Sequence, residues 1–188
     1  RRQRVLIVGC GDVGLRAARL LAGRVRLLAL TSSPARVSQL RAAGLTPIVA
    51  DLDQPASMQR LAGLADRVLH LAPPARVESG PWWRDLRTAS LMQTLRRRSP
   101  PLSLVYGSTS GVYGDCAGER VTEARGLEPD TPRAHRRVDA ERAVRWLGRS
   151  GVAVRVLRIP GIYAPDREGG TPRGWPARGT PGPRGGGG

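Results

Sequence analysis

The residues of this chain best suited to chemistry are three glycines, Gly9, Gly11 and Gly14, in the order G-x-G-x-x-G. The apolar run Val5-Leu6-Ile7-Val8 precedes them, and Leu15-Arg16-Ala17-Ala18-Arg19-Leu20-Leu21 follows at helical spacing. Strand, glycine turn and helix in that order form a phosphate cradle. Gly9 permits the tight turn, Gly11 lets backbone approach a pyrophosphate, and Gly14 lets the helix pack on the strand. The first amides of the helix, with Asp12 and Val13, stand at the positive end of its dipole, where a diphosphate is favoured. Asp12 is read chiefly as a helix cap.

The second group of candidate residues follows the next apolar run, in Thr31-Ser32-Ser33-Pro34-Ala35-Arg36. An NAD site usually carries a carboxylate about 20 positions beyond the glycines, on the ribose hydroxyls. Here hydroxyls and Arg36 stand instead, groups that hydrogen-bond a 2′-phosphate. NADP(H) is therefore expected, with NAD(H) the alternative, and Ser32 or Ser33 also fits as a cap for the helix starting at Pro34. Asp51 and Leu52 are candidates to flank an adenine, and Leu71, Ala72 and Pro73 fall at another strand end. Two cysteines, Cys10 and Cys116, offer neither a disulfide framework nor metal-ligand spacing. No metal is expected, and Cys10 is read as a small residue that fits the turn.

To bring these groups together, strands and helices must alternate. The expected strands are Val5–Val8, Val25–Leu30, Pro47–Ala50, Arg67–Leu71, Leu102–Tyr106 and Val152–Leu157. The expected helices are Asp12–Leu21, Pro34–Ala43, Pro55–Leu64, Trp82–Arg97 and Arg133–Leu147, with Trp83, Leu86, Ser90 and Leu91 near one face of the fourth. Such alternation defines an α/β fold, a doubly wound parallel (Rossmann) sheet in the order 3-2-1-4-5-6. Ligands then bind at the carboxyl ends of the strands, near the switch point between the first and fourth. Residues 1–165 are expected to form this domain. Residues 166–188 are rich in Gly, Pro and Arg, end in four glycines, and are expected to be a disordered tail.

The 188 residues carry a net charge of +16, contributed by 31 arginines and no lysine. Charge alone would suit nucleic acid. The arginines are scattered, however, the longest runs being Arg96-Arg97-Arg98 and Arg136-Arg137. Phe is absent, and Trp and Tyr number four and three, so the stacking surface of a single-strand binder is not evident. No membrane span or signal pattern is visible, and a cytoplasmic, reducing location is expected. The oligomeric state is left open.

From Leu104-Val105-Tyr106-Gly107-Ser108-Thr109-Ser110-Gly111-Val112-Tyr113-Gly114-Asp115 onward the chain resembles the extended short-chain dehydrogenase/reductases, or NAD-dependent epimerase/dehydratases. Those residues are similar to the family's S-[ST]-x-x-V-Y-G strand signature. Leu157-Arg158-Ile159-Pro160-Gly161-Ile162-Tyr163-Ala164-Pro165 is similar to its LR-x-x-x-x-Y-G-P segment, and Ala50-Asp51-Leu52-Asp53 and Leu69-His70-Leu71-Ala72 to its adenine and fourth-strand patterns. The resemblance covers residues 4–165. It implies hydride transfer with a nicotinamide cofactor on a sugar-nucleotide or another small carbonyl compound. Thr109 falls on the Ser/Thr that hydrogen-bonds the reacting oxygen, and Tyr113 is a nearby tyrosine read either as a proton donor or as a wall of the pocket.

The chain departs from the family at its Y-x-x-x-K dyad. Aligned on Glu141, the tyrosine position is Arg133 and the lysine position Arg137. Arg137 keeps the charge that would hold ribose, whereas a guanidinium such as Arg133 does not act as a general acid near neutrality. His70 is titratable and is read as structural. The usual substrate lobe would need roughly a hundred further residues, so the chain is read as a truncated or frame-disrupted member. Two functions stay open: an atypical oxidoreductase or epimerase/dehydratase-like enzyme, and a non-catalytic NADP(H)-binding or redox-sensing module.

Overall fold

The computed structural model describes residues 2–75, 81–164 and 166. Six parallel strands form one sheet: β1 (Arg4–Val8), β2 (Arg26–Thr31), β3 (Thr46–Val49), β4 (Arg67–His70), β5 (Ser103–Thr109) and β6 (Ala153–Ile159). Their order is β3-β2-β1-β4-β5-β6, the doubly wound order expected from the sequence. The helices are α1 (Asp12–Leu21), α2 (Val37–Ala42), α3 (Leu86–Arg96) and α4 (Pro132–Gly148), with 3₁₀ turns at Pro34–Arg36, Pro55–Leu61 and Ser110–Tyr113.

Period-two alternation divides the apolar side chains of the central strand between two cores. Val5 and Ile7 join Leu27, Ala29, Ala18 of α1 and Leu40 of α2 on one face. Leu6 and Val8 join Leu28, Leu104, Met58, and Leu91 and Val144 of α3 and α4 on the other. Covered on both faces, the inner strands read as continuous apolar runs. β1 is clasped to the start of β4 at its amino end. The Arg4 amide donates to Asp66 Oδ2 (2.7 Å), its Nη2 to Oδ1 (2.9 Å), and the Asp66 amide to the Arg4 carbonyl (2.9 Å).

The structure corrects three local expectations. In place of the α-helix expected over 55–64, the chain forms a 3₁₀ turn over Pro55–Leu61. Its buried residues, Met58 and Leu61, are three apart, which is the repeat of a 3₁₀ face. The Pro34–Ala43 helix likewise opens as a 3₁₀ turn before α2. α3 begins at Leu86 instead of Trp82, because Asp85 caps it by accepting from the Thr88 amide (3.2 Å). Its buried residues are Thr88, Leu91, Met92, Thr94 and Leu95, whereas Trp83 and Leu86 are exposed.

The tail expected at 166–188 lies outside the described residues, except for Asp166, whose carboxylate accepts from Arg16 Nη2 (3.0 Å). Among the described residues no helix is long and apolar enough to cross a membrane. Leu104, fully buried in mid-sheet, tests the larger core. Leu104→Ala is expected to lower the unfolding free energy by about 2–5 kcal/mol in urea titrations, and a loss well under 1 kcal/mol would show that this core does not carry the fold.

Candidate functional site

The glycine turn separates three steric demands. Gly9 has φ +86°, and a Cβ there would lie 2.3 Å from the Ala72 amide nitrogen, so both backbone conformation and the end of β4 exclude a side chain. Gly14 sits over β1, where a Cβ would meet the Gly9 carbonyl at 3.1 Å and Ile7 Cγ2 at 3.2 Å. Gly11, the N-cap of α1, is different: a Cβ there would meet nothing within 4 Å. The space in front of it is open. Asp12 does not cap α1 as expected. It occupies the first turn, and its Oδ1 accepts from Arg16 Nε (3.0 Å), one turn along the helix.

A cavity of about 420 Å³ opens at the carboxyl ends of β1 to β4. Gly9, Gly11, Asp12, Val13, Gly14, Thr31, Ser32, Ser33, Arg36, Asp51, Leu52, Leu71, Ala72 and Pro73 all line it, so the residues singled out for a cofactor share one wall. Cys10, Leu30, Ala50, Arg87 and Ile162 also line it. The first three neighbour flagged residues in sequence, and Ile162 lies in the segment after β6 that resembles the family pattern, but Arg87 arrives from α3 with no local signal. Burial raises the Cys10 thiol pKa despite the charge of Arg36. Arg36 reaches across from the end of β2, its Nη2 donating to the Cys10 carbonyl (2.8 Å) and its Nε to Gln39 Oε1 (3.3 Å). Ser33 is the N-cap by position but makes no side-chain cap bond, and Ser32 is exposed. Asp51 Oδ1 accepts from the Asp53 amide (3.0 Å).

At the end of β5, Thr109 accepts from the Gly111 amide (3.2 Å) and caps the turn leading to Tyr113. Tyr113 is buried against Val112 and Val138, and its Oη accepts from Arg158 Nη1 (2.6 Å). Arg137 is buried, its Nη1 donating to Tyr106 Oη (2.8 Å) and the Gly107 carbonyl (2.9 Å). Thr109, Tyr113 and Arg137 thus gather around the end of β5 without lining the glycine-turn cavity. Arg133, at the tyrosine position, instead lines a neighbouring cavity of about 970 Å³ with Arg84, Arg87 and Arg136.

Beneath these cavities lie two buried polar clusters. Glu141 is fully buried and accepts from Ser108 Oγ (2.7 Å), Arg158 Nη2 (2.9 Å) and Arg145 Nη2 (3.0 Å). Burial pushes its carboxyl up, but bonds from Arg158 and Ser108 more than offset this and hold it below its usual range. Nearby, the Thr88 hydroxyl donates to Asp85 Oδ2 (2.7 Å) and so accepts from His70 Nε2 (2.9 Å). Burial raises the Asp85 carboxyl. The same burial, aided by the charge of Arg137, lowers His70 to about 3. The Tyr106 phenol, against the His70 ring, is pushed up by burial to about 12. His70 and Tyr106 are neutral at physiological pH.

This architecture has counterparts among known proteins. The model of the NAD-dependent epimerase/dehydratase family matches residues 5–178, and the chain belongs to that family. No curated protein sequence matches it. Among solved structures it is similar to the dTDP-glucose 4,6-dehydratase of Streptomyces venezuelae, a double mutant with NAD bound, at 25% identity and a TM-score of 0.71, covering 86% of this chain and 57% of that one. It is also similar to the UDP-glucuronic acid 4-epimerase of Bacillus cereus in complex with NAD (18% identity, TM-score 0.69, 87% and 58% covered). A third is the Bordetella bronchiseptica enzyme WbmH in complex with NAD⁺ (20%, 0.69, 89% and 58%). The chain spans a little under three-fifths of the length of each.

The buried His70 makes stability at this site depend on pH. Its folded pKa of about 3 lies below the unfolded value of about 6.5, so its contribution is complete above pH 6.5 and is lost as pH falls toward 3, by about 1.4 kcal/mol per unit. In His70→Gln that component disappears. Urea titrations from pH 6.5 to 4 should therefore show the variant losing less stability than the native chain, and parallel losses would contradict a neutral buried imidazole.

Proposed function

We propose that the chain binds a nicotinamide dinucleotide in the glycine-turn cleft, as the cofactor-binding part of an oxidoreductase or epimerase/dehydratase-like enzyme. The substrate class we assign is a sugar-nucleotide or another small carbonyl compound. The observation that carries this reading is the open space in front of Gly11, at the amino end of α1, inside a cavity lined by four strand ends. The NAD bound in the similar structures supports it.

In this reading Gly9, Gly11, Val13 and Gly14 cradle the pyrophosphate. Asp51 and Leu52 flank the adenine, and Leu71, Ala72 and Pro73 form the floor. Arg36, Ser32 and Ser33 face the adenosine ribose, where the guanidinium keeps donors beyond its bonds to Cys10 and Gln39, and NADP(H) is favoured over NAD(H). The nicotinamide supplies a hydride donor or acceptor when bound. Thr109 is assigned to the reacting oxygen, Arg137 to the ribose, and Tyr113 to the pocket wall or a proton. Two free thiols, Cys10 and Cys116, suit a reducing, cytoplasmic setting.

A second reading, a non-catalytic cofactor-binding or redox-sensing module, draws on a specific observation. The phenol of Tyr113 is buried on Arg158, and arginine stands at both dyad positions.

Calorimetric titration separates these readings. NADPH should bind more tightly than NADH. Gly11→Val, whose side chain fills the open space, should abolish binding of both while circular dichroism stays unchanged. Arg36→Ala should cost NADPH about tenfold or more in affinity and leave NADH nearly unaffected. Unchanged affinity in folded Gly11→Val would overturn the cleft assignment. Binding without turnover across a screen of carbonyls and sugar-nucleotides would favour the second reading.

A further inference from the structure

The larger cavity adjoins the cofactor cleft, sharing Leu52, Pro73 and Arg87 with it. Arg84, Arg87, Arg133 and Arg136 line it, and the one carboxylate among its described lining residues is Asp53. Arg87 already grips that carboxylate through both oxygens and holds its pKa below the usual range. Arg84, Arg133 and Arg136 have no ion pair among the described residues. Three guanidinium groups without a counter-charge among the described residues therefore share one concavity of about 970 Å³.

Their positions in the chain make this arrangement costly. Arg87 and Arg133 are the second residues of α3 and α4, Arg84 directly precedes the Asp85 cap, and neither helix has an acidic residue in its first turn. Cations there oppose the positive end of each helix dipole. Among the described residues Arg136 adds a donor that is not satisfied: Nη1 reaches the Trp82 carbonyl (2.8 Å), but Nε is buried without a partner. An oxyanion in the cavity offsets the charge excess and the opposition to the helix dipoles, because the guanidinium fork matches carboxylate and phosphate oxygens in pairs.

We propose that this cavity is an oxyanion-recognition site, built by Arg84, Arg133 and Arg136 with Arg87 behind them, that holds the acidic group of the substrate beside the cofactor. The charge excess suits a compact dianion, either a phosphate ester or a dicarboxylate. The inference rests on the cofactor reading, since it takes this cavity as the substrate side of that cleft. Arg133 then binds substrate at the position where the family's tyrosine transfers a proton.

The test titrates inorganic phosphate and succinate calorimetrically into the full chain saturated with NADPH. It compares the native chain, Arg133→Gln/Arg136→Gln, and a control of equal charge, Arg19→Gln/Arg24→Gln, on exposed positions of another face. At least one anion should bind, its affinity falling about tenfold or more in the cavity variant and not in the control, with NADPH affinity unchanged. Binding of phosphate alone or succinate alone identifies the source of the dianion. No binding of either, or equal weakening in both variants, overturns the site. If NADPH fails to bind while anion binding still depends on Arg133 and Arg136, the cofactor reading falls and the oxyanion site stands.

Discussion

The contact on which the rest of the site depends is between two pieces of backbone, Gly9 against Ala72. The amide of Ala72 and that of Leu71 both donate to the Val8 carbonyl, at 3.0 and 2.7 Å, which ties the end of β4 to the end of β1 just where the chain turns. With no side chain between them, the two strand ends meet directly, and α1 starts over the switch point of the sheet. A larger residue at Gly9 would push β4 away and open the floor under the cleft. The openness at Gly11 therefore depends on the crowding at Gly9.

The fold was largely legible because local and long-range signals agree. The apolar runs of β1, β2 and β5 are strand-like in composition and buried on both faces, so period and tertiary context point the same way. Where they diverge, the sequence misleads. Trp82 and Trp83 suggest an earlier, amphipathic α3, but the carboxylate of Asp85 sets the helix start and leaves both indoles outside. Met58 and Leu61 fit α and 3₁₀ spacing equally, and only packing under the sheet decides between them. The cleft was legible for a further reason: in a parallel sheet each ligand-facing residue directly follows a strand, a position that local sequence marks. Arg87, on α3, follows no such rule and reaches the cleft through tertiary packing.

The two arginines of the helix after β5, Arg133 and Arg137, take different places in the structure. Arg137 turns inward to Tyr106 and the Gly107 carbonyl, where its charge adds to the burial that lowers the His70 pKa. Arg133 faces the neighbouring cavity. One arginine has become part of the foundation and the other part of the surface offered to a ligand. Glu141, one turn beyond Arg137, gathers Ser108, Arg145 and Arg158 and fixes α4 to β5 and β6. The scaffold holding the end of β5 is thus charged, with the Glu141 carboxylate paired to Arg145 and Arg158, while Arg137 Nε is buried without a partner among the described residues.

The clasp between Arg4 and Asp66 joins residues 62 positions apart. β1 lies at the centre of the sheet, yet one of its two neighbours, β4, is made only after two further strands and three crossovers. Loop closure of that span must come before the pairing that rewards it. The glycine turn, although encoded within the first fourteen residues, takes its final shape only when β4 arrives. The turn is thus completed by a contact distant in sequence, and a chain stopped short of residue 72 would carry the glycine motif without the strand end packed against it.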